Sequence, residues 1–156
     1  YLSIHLANKV GIDGKVYSVD VREDRLEALD KNLKARNLSN VATILGDYDD
    51  PKLPINKLDV VFIMDTYHEM EEYTTILKHV HTSLKSGGRI VIIEKLKSYI
   101  KGKSRADQID AHSLSPKYVK NELISADFII SHHEDKMGHW ENDEDKVIWM
   151  LIAQKE

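Results

Sequence analysis

The sequence has no cysteine among its 156 residues, which excludes a disulfide scaffold, a zinc-ribbon site and a thiol nucleophile. An excess of positive charge is also absent, because 22 Lys and Arg stand against 26 Asp and Glu. Binding to duplex nucleic acid is therefore not expected. The longest apolar run, residues 147–153, is too short to span a bilayer, so no membrane partner is expected.

Glycine and proline are scarce, at 7 and 3 residues, and no linker, repeat or low-complexity segment is visible. The length and the 42% hydrophobic content predict one domain over residues 1–156 with a buried core. The chain opens without an initiator Met, a signal peptide or a helix cap, as though entered partway through a helix that ends at Gly11. We expect a cytoplasmic protein.

Short apolar runs alternate with amphipathic stretches along the whole chain. Ser115-Pro116 is typical of a helix start, and Gly87-Gly88 is expected to end the helix that begins near Tyr73. The run 58–64, apolar except for Asp59, suits a strand buried on both faces. The alternation predicts an α/β fold with a doubly wound, Rossmann-like, mostly parallel sheet and helices on both faces. No helix separates the last two strands, which predicts a C-terminal antiparallel β-hairpin.

In an open α/β sheet, ligands bind beyond the carboxyl ends of the strands. Asp20 ends the first strand, where a carboxylate can accept hydrogen bonds from both hydroxyls of a ribose. The alternative is that Asp20 caps the following helix. In nucleotide-binding units the ribose acid lies about 20 residues beyond a glycine-rich turn, which places that turn at or before Tyr1.

Gly46-Asp47 ends the second strand, where the Asp47 carboxylate can accept from an exocyclic amine such as that of adenine. The alternative is an ordinary turn residue beside Asp49 and Asp50. A calcium-binding EF-hand is rejected, because Lys52 and Leu58 occupy the positions of its glycine and its final glutamate.

The segment Asp65 to Met70 follows the most apolar strand. His68-Glu69 opens a zinc-protease pattern, but Glu72 stands where the second histidine is needed. His68 is then either a hydrogen-bonded structural residue or part of a ligand site. Adjacent His132 and His133 point to opposite faces of a strand and cannot chelate one ion together. No metal site is predicted.

Several segments in this order resemble class I S-adenosylmethionine-dependent methyltransferases, and most closely the small-molecule enzymes of the ubiquinone/menaquinone-biosynthesis type. The likeness covers nearly the whole chain. It rests on five segments, Val16-Tyr17-Ser18-Val19-Asp20, Ile44-Leu45-Gly46-Asp47, Leu58-Asp59-Val60-Val61, Asp65 to His68, and Leu84-Lys85-Ser86-Gly87-Gly88-Arg89-Ile90. Each is weak alone, and the order and spacing make the set fairly specific.

The resemblance implies S-adenosylmethionine or S-adenosylhomocysteine as the cofactor and a small molecule as the substrate. It assigns cofactor contacts to Asp20, Val21, Gly46, Asp47, Tyr48, Asp65 and Thr66. It places Tyr67 and His68 against the substrate. If the acceptor is a hydroxyl, an amine or an acidic carbon, a base is needed, and His68 is the candidate base with Glu69 as its orienting group. Beyond the resemblance, we expect Tyr99 and His112, in a polar connection, and Trp140, in the hairpin loop, to contribute to substrate binding. The alternative for Trp140 is a plain hairpin loop on which its ring is folded back. The resemblance also implies that the glycine-rich loop and the first, central strand lie upstream of Tyr1.

Two alternatives remain at this point. Tyr99 and Lys103 match the Tyr-x-x-x-Lys pair of nicotinamide-dependent short-chain dehydrogenases. A non-catalytic, truncated methyltransferase-like domain that self-associates, for example as a homodimer, is the second alternative, because a missing central strand would expose strand edges.

Overall fold

Helix α1 covers Leu2–Val10 and ends at Gly11, as the apolar spacing predicts. Gly11 has a φ of 74°, a left-handed conformation that glycine adopts without steric cost. Strand β1, helix α2 and strand β2 follow at Val16–Asp20, Glu23–Ala35 and Val41–Leu45. Strands β1 and β2 pair in parallel as a two-stranded sheet.

These elements form the first of two units into which the chain divides, Tyr1–Leu53 and Pro54–Glu156. The computed structural model describes all residues from Tyr1 to Glu156. The single domain over residues 1–156 stays a prediction.

The second unit contains a four-stranded sheet and three α-helices. Its elements are β3 (Leu58–Met64), α3 (Tyr73–Ser83), β4 (Leu84–Lys97), α4 (Arg105–Asp110), α5 (Pro116–Ser125), β5 (Ile129–His139) and β6 (Lys146–Gln154). The strand order is β3-β4-β6-β5, with β3 and β4 parallel and β6 antiparallel to both neighbours. The α/β class and the terminal antiparallel pair are confirmed.

The core of the second unit lies around the central strands β4 and β6. Trp149 is 1% exposed, and its indole N–H donates to the carbonyl of Leu114 at 2.8 Å, so a large apolar ring is buried with its one polar atom paired. Ser115 caps α5 by accepting from the backbone N–H of Lys117, and Pro116 occupies the first helical position. Both confirm the helix start predicted from the sequence. None of the helices is long and apolar enough to cross a membrane.

Two predictions about β3 and α3 are wrong. Val60, Phe62 and Met64 are 40–42% exposed, because these alternate side chains share one face of β3 and that face is only partly covered. Helix α3 ends at Ser83, before Gly87-Gly88, and β4 begins at Leu84. The ladder pairs Leu58 with Leu84 and then Val60 with Arg89, so residues 85–88 bulge out of the strand. The two glycines serve that bulge and do not end a helix.

Candidate functional site

Asp20 lies half-buried at the carboxyl end of β1, and its carboxylate is only partly used by the protein. One oxygen accepts from the backbone N–H of Arg22 at 2.9 Å, which closes a turn before α2. The cap residue of α2 is Arg22, without a side-chain cap, so Asp20 does not cap this helix. The other carboxylate oxygen accepts no hydrogen bond, which leaves it able to accept from a ligand hydroxyl.

The turn after β2 lies beside Asp20, since the N–H of Gly46 donates to the Asp20 carbonyl at 3.1 Å. A Cβ on Gly46 would lie 3.0 Å from Val19 Cγ1, so close packing against β1 explains this glycine. The exposed Asp47 pairs with Lys52 at 3.0 Å, and the Tyr48 side chain is 79% exposed. The cofactor contacts of Asp20, Val21, Gly46, Asp47 and Tyr48 stay predictions.

In the second unit, Asp65 begins the loop after β3 with a φ of 50°. Its carboxylate pairs with Nζ of the buried Lys95 on β4, and Lys95 Nζ lies 5.2 Å from the centre of the Trp140 ring. Thr66 donates its hydroxyl hydrogen to the Met64 carbonyl at 2.9 Å. The Lys95 ammonium group therefore contacts two partners, the Asp65 carboxylate and the face of the Trp140 ring, and the second contact is a cation–π interaction.

His68 and Glu94 form a buried pair in which each is at most 3% exposed. Glu94 Oε1 accepts from the backbone N–H of His68 at 3.2 Å, and both of its oxygens lie 3.0 Å from His68 Nδ1. Because an ionised carboxylate only accepts hydrogen bonds, this partner assigns the hydrogen to Nδ1. In the neutral ring Nε2 then keeps its lone pair. The predicted orienting residue, Glu69, does not make this contact.

Glu69 and His112 meet His68 on its other side. Glu69 Oε1 lies 3.6 Å from His68 Nε2 and also 3.6 Å from His112 Nδ1, which is too long for a hydrogen bond. The two imidazole rings are 5.9 Å apart at their centres and meet edge to face. A pocket of about 370 Å³ opens here, lined by His68, Glu69, Ile109, Asp110 and His112.

Tyr67 is fully buried, which leaves its side chain no surface for a substrate, in contrast to the prediction. Its hydroxyl donates to Glu122 Oε2 at 2.8 Å, and Arg105 Nε donates to Glu122 Oε1 at 2.6 Å. Burial raises the pKa of Tyr67, and the negative charge of Glu122 raises it further. Arg105 also lies over the Tyr73 ring, 4.0 Å from its centre. Tyr67 therefore anchors its loop to α5.

Tyr99 and Lys103 do not share a helix, as a dehydrogenase pair would require. Tyr99 is 67% exposed in the 3-10 turn Ser98–Ile100, and Lys103 precedes α4. Tyr99 does not line the pocket of His68 and His112. The dehydrogenase alternative therefore lacks its geometry, and the role of Tyr99 in substrate binding stays a prediction.

Sequence reasoning missed Glu94, Lys95 and Glu122 as members of this polar cluster. Two of them could have been found, because Glu94 and Lys95 are adjacent charged residues at the end of the apolar run 90–93. Charges inside a buried strand are rare unless they are paired. Glu122 lies on the amphipathic helix α5, where a charged residue is ordinary, so no sequence pattern distinguishes it.

A family profile described as a methyltransferase domain matches residues 1–153. The chain belongs to this family. The methyltransferase domain is 38% identical over 92 residues to a demethylmenaquinone methyltransferase of Geobacillus stearothermophilus, which covers 59% of this chain and 39% of that relative. The matched segment thus covers well under half the length of the curated relatives.

Solved structures share the fold of this methyltransferase domain. A SAM-dependent methyltransferase from Aquifex aeolicus superposes with a TM-score of 0.80 at 22% identity, over 98% of this chain and 75% of that one. The [4+2]-cyclase SpnF also reaches 0.80, at 17% identity, over 97% of this chain and 70% of that one. Because a cyclase has the same fold, the fold alone does not determine the reaction.

Proposed function

We propose that this methyltransferase domain acts in the transfer of a methyl group from S-adenosylmethionine to a small-molecule acceptor. The match of residues 1–153 to the methyltransferase family is the main support. The residues of the first unit fit the cofactor, because Asp20 has a carboxylate oxygen without a partner and Tyr48 offers an uncovered ring. When bound, S-adenosylmethionine supplies an activated methyl group.

The protein's part in such a reaction is to bind, orient and exchange protons. Asp20 would hold the ribose hydroxyls and Asp47 the adenine amine. The cofactor's methionine part is assigned to Asp65 and Thr66, and the Asp65–Lys95 pair leaves little net charge there.

The acceptor would approach the pocket of His68 and His112. His68 Nε2 would accept a proton from a hydroxyl, amine or acidic carbon, while Glu94 keeps the ring oriented and stabilises the imidazolium. Trp140 does not line this pocket, and its contact with the acceptor stays a prediction. The name of the curated relatives suggests a quinone-type acceptor, which we extend to this chain only as part of the proposal.

Replacing the Asp20 carboxylate tests the cofactor site. We expect Asp20→Asn to weaken the binding of S-adenosylhomocysteine roughly 10- to 150-fold, because hydrogen bonds to a charged group contribute about 1.5–3 kcal/mol. Isothermal titration calorimetry measures this. Asp13→Asn is the matched control, since Asp13 is an exposed acid in another turn of the same unit.

Equal affinities of Asp20→Asn and Asp13→Asn would contradict the assignment of Asp20. Tight binding of NADH in place of S-adenosylhomocysteine would contradict the proposed function itself.

Self-association remains a separate proposal, supported by the exposed apolar side chains of the edge strand β3, Val60, Phe62 and Met64. Light scattering tests it, and a monodisperse monomer would contradict it. The absence of a nucleic-acid partner and a cytoplasmic location likewise remain proposals.

A further inference from the structure

We propose that His68, Glu69 and His112 bind one divalent transition-metal ion of the zinc type at the mouth of the 370 Å³ pocket. Their three ligand atoms lie within 4.8 Å of one another. The proposal rests on the geometry of these side chains and is independent of the proposed methyl transfer.

The distances between Glu69 and the two imidazole nitrogens fit a shared metal ion better than direct hydrogen bonds. Glu69 Oε1 is 3.6 Å from both His68 Nε2 and His112 Nδ1, which is beyond hydrogen-bonding distance. Zinc takes histidine nitrogens and carboxylate oxygens at about 2.0–2.2 Å in a tetrahedral arrangement, which places neighbouring ligand atoms about 3.4 Å apart. The two separations that involve Glu69 are therefore close to those of a metal site, and the third is at most 4.8 Å.

Glu94 prepares His68 for this role. Both of its carboxylate oxygens lie 3.0 Å from His68 Nδ1, and both residues are buried. A metal-bound histidine typically donates its other ring N–H to a carboxylate in this way, which fixes the tautomer and raises the basicity of the ligating nitrogen. The Nε2 lone pair thus points toward Glu69 before any ion binds.

The ligand set leaves room in the coordination sphere. Two imidazoles and one carboxylate are three ligands of the kind used in zinc sites that keep an open position. Asp110 and Ile109 complete the lining of the pocket, so the fourth position would face water or a small oxygen-bearing ligand.

A neighbouring cluster, Asp65, His68 and Glu94, is a weaker candidate. It would use the buried Glu94 oxygens that already accept from His68, and Asp65 is paired with the ammonium group of Lys95. A second cation there would be repelled by Lys95 and would break a buried hydrogen bond. The site with Glu69 and His112 carries neither cost.

A metal on Nε2 and a proton on Nε2 exclude each other, because that nitrogen has one lone pair. Under the proposed function, a bound ion would therefore remove His68 as a base. The test below contains neither cofactor nor acceptor, so its failure and the failure of the proposed function are distinguishable.

Cobalt titration tests the site, because Co²⁺ in a tetrahedral N/O site gives a visible absorption band. We expect the unaltered chain to bind one Co²⁺ with such a band, and Zn²⁺ to displace it. His112→Ala and Glu69→Gln should each weaken binding at least 10-fold, since each removes one of only three protein ligands. Both side chains are exposed, 71% and 62% for His112 and Glu69, so neither change should lower the melting temperature without metal.

His133→Ala is the matched control, an imidazole at the surface paired with Asp135 at 3.1 Å, and it should bind Co²⁺ as the unaltered chain does. The proposal is overturned if the unaltered chain binds no Co²⁺, or if His112→Ala binds it equally well. Loss of binding in His133→Ala alone would assign the ion to surface histidines and overturn it too.

Discussion

The two units of the chain differ in one respect, because only the second contains a fully buried pair of titratable side chains. In Tyr1–Leu53 the ion pairs lie at the surface, as in Asp47–Lys52, with side chains 62% and 47% exposed. Pro54–Glu156 has exposed pairs as well, such as Lys85–Asp59, but it also contains His68–Glu94, with side chains 2% and 0% exposed. The Arg105–Glu122 pair lies between these limits, at 22% and 12%.

Exposed and buried carboxylates differ because water solvates only the exposed ones. An exposed carboxylate is solvated, so it can change partners at little cost and is free to receive a ligand. A buried carboxylate must keep its protein partners, because leaving it unpaired costs several kcal/mol. The first unit therefore offers adaptable acids, whereas the second holds its histidine and acids in one geometry.

The largest loss of stability is expected when the buried Glu94 carboxylate is removed. We expect Glu94→Ala to lower the free energy of unfolding by about 2–6 kcal/mol, because it leaves two buried N–H groups of His68 without an acceptor, at about 1–3 kcal/mol each. Urea unfolding at neutral pH measures the loss.

Glu69→Gln, at an exposed neighbour, is the control and should change stability by less than about 0.5 kcal/mol. Losses of similar size in both variants would show that burial does not set the cost.

The substitution Tyr67→Phe is expected to have an intermediate effect on the free energy of unfolding, and this effect depends on pH. Tyr67→Phe removes the hydrogen bond to Glu122 and should cost about 1.5–3 kcal/mol at neutral pH. Because burial raises the pKa of Tyr67 in the folded state, above about pH 10 the unfolded chain loses the phenol proton and the folded chain keeps it. The folded state then binds more protons, so this contribution to stability falls as pH rises.

The difference in unfolding free energy between the unaltered chain and Tyr67→Phe should therefore shrink above about pH 10, by up to about 1.4 kcal/mol per pH unit. Chemical unfolding at pH 8 and at about pH 10.5 measures it. A difference that stays constant over this range would argue against a buried, protonated phenol.

The smallest effect is expected for Lys52 in the first unit. Lys52→Ala removes the exposed partner of Asp47 and should change the free energy of unfolding by less than about 1 kcal/mol. Thermal unfolding measures it, with Lys57→Ala, another exposed lysine, as the control. A loss as large as that of Glu94→Ala would remove the distinction between the two units.

The carboxyl ends of β1, β2 and β3, the class of fold and the resemblance to methyltransferases were readable from the sequence alone. Apolar patterning is a local property, so it located β1, β2 and the helix between them, and the pair Ser115-Pro116 located the start of α5. It could not show that one face of β3 is only partly covered, because burial on both faces depends on what packs against a strand and not on its own residues.

Only the tertiary structure brought His68 together with Glu94 and His112. The register of β3 against β4, in which Met64 pairs with Ile93, places the loop after β3 beside Glu94 and Lys95. The connection after β4 then returns His112 to the same place. Sequence determined which residues could carry protons, metals or charge, and the pairing of distant strands decided which of them meet. Such pairs are fixed by strand register and loop path, which no local pattern encodes.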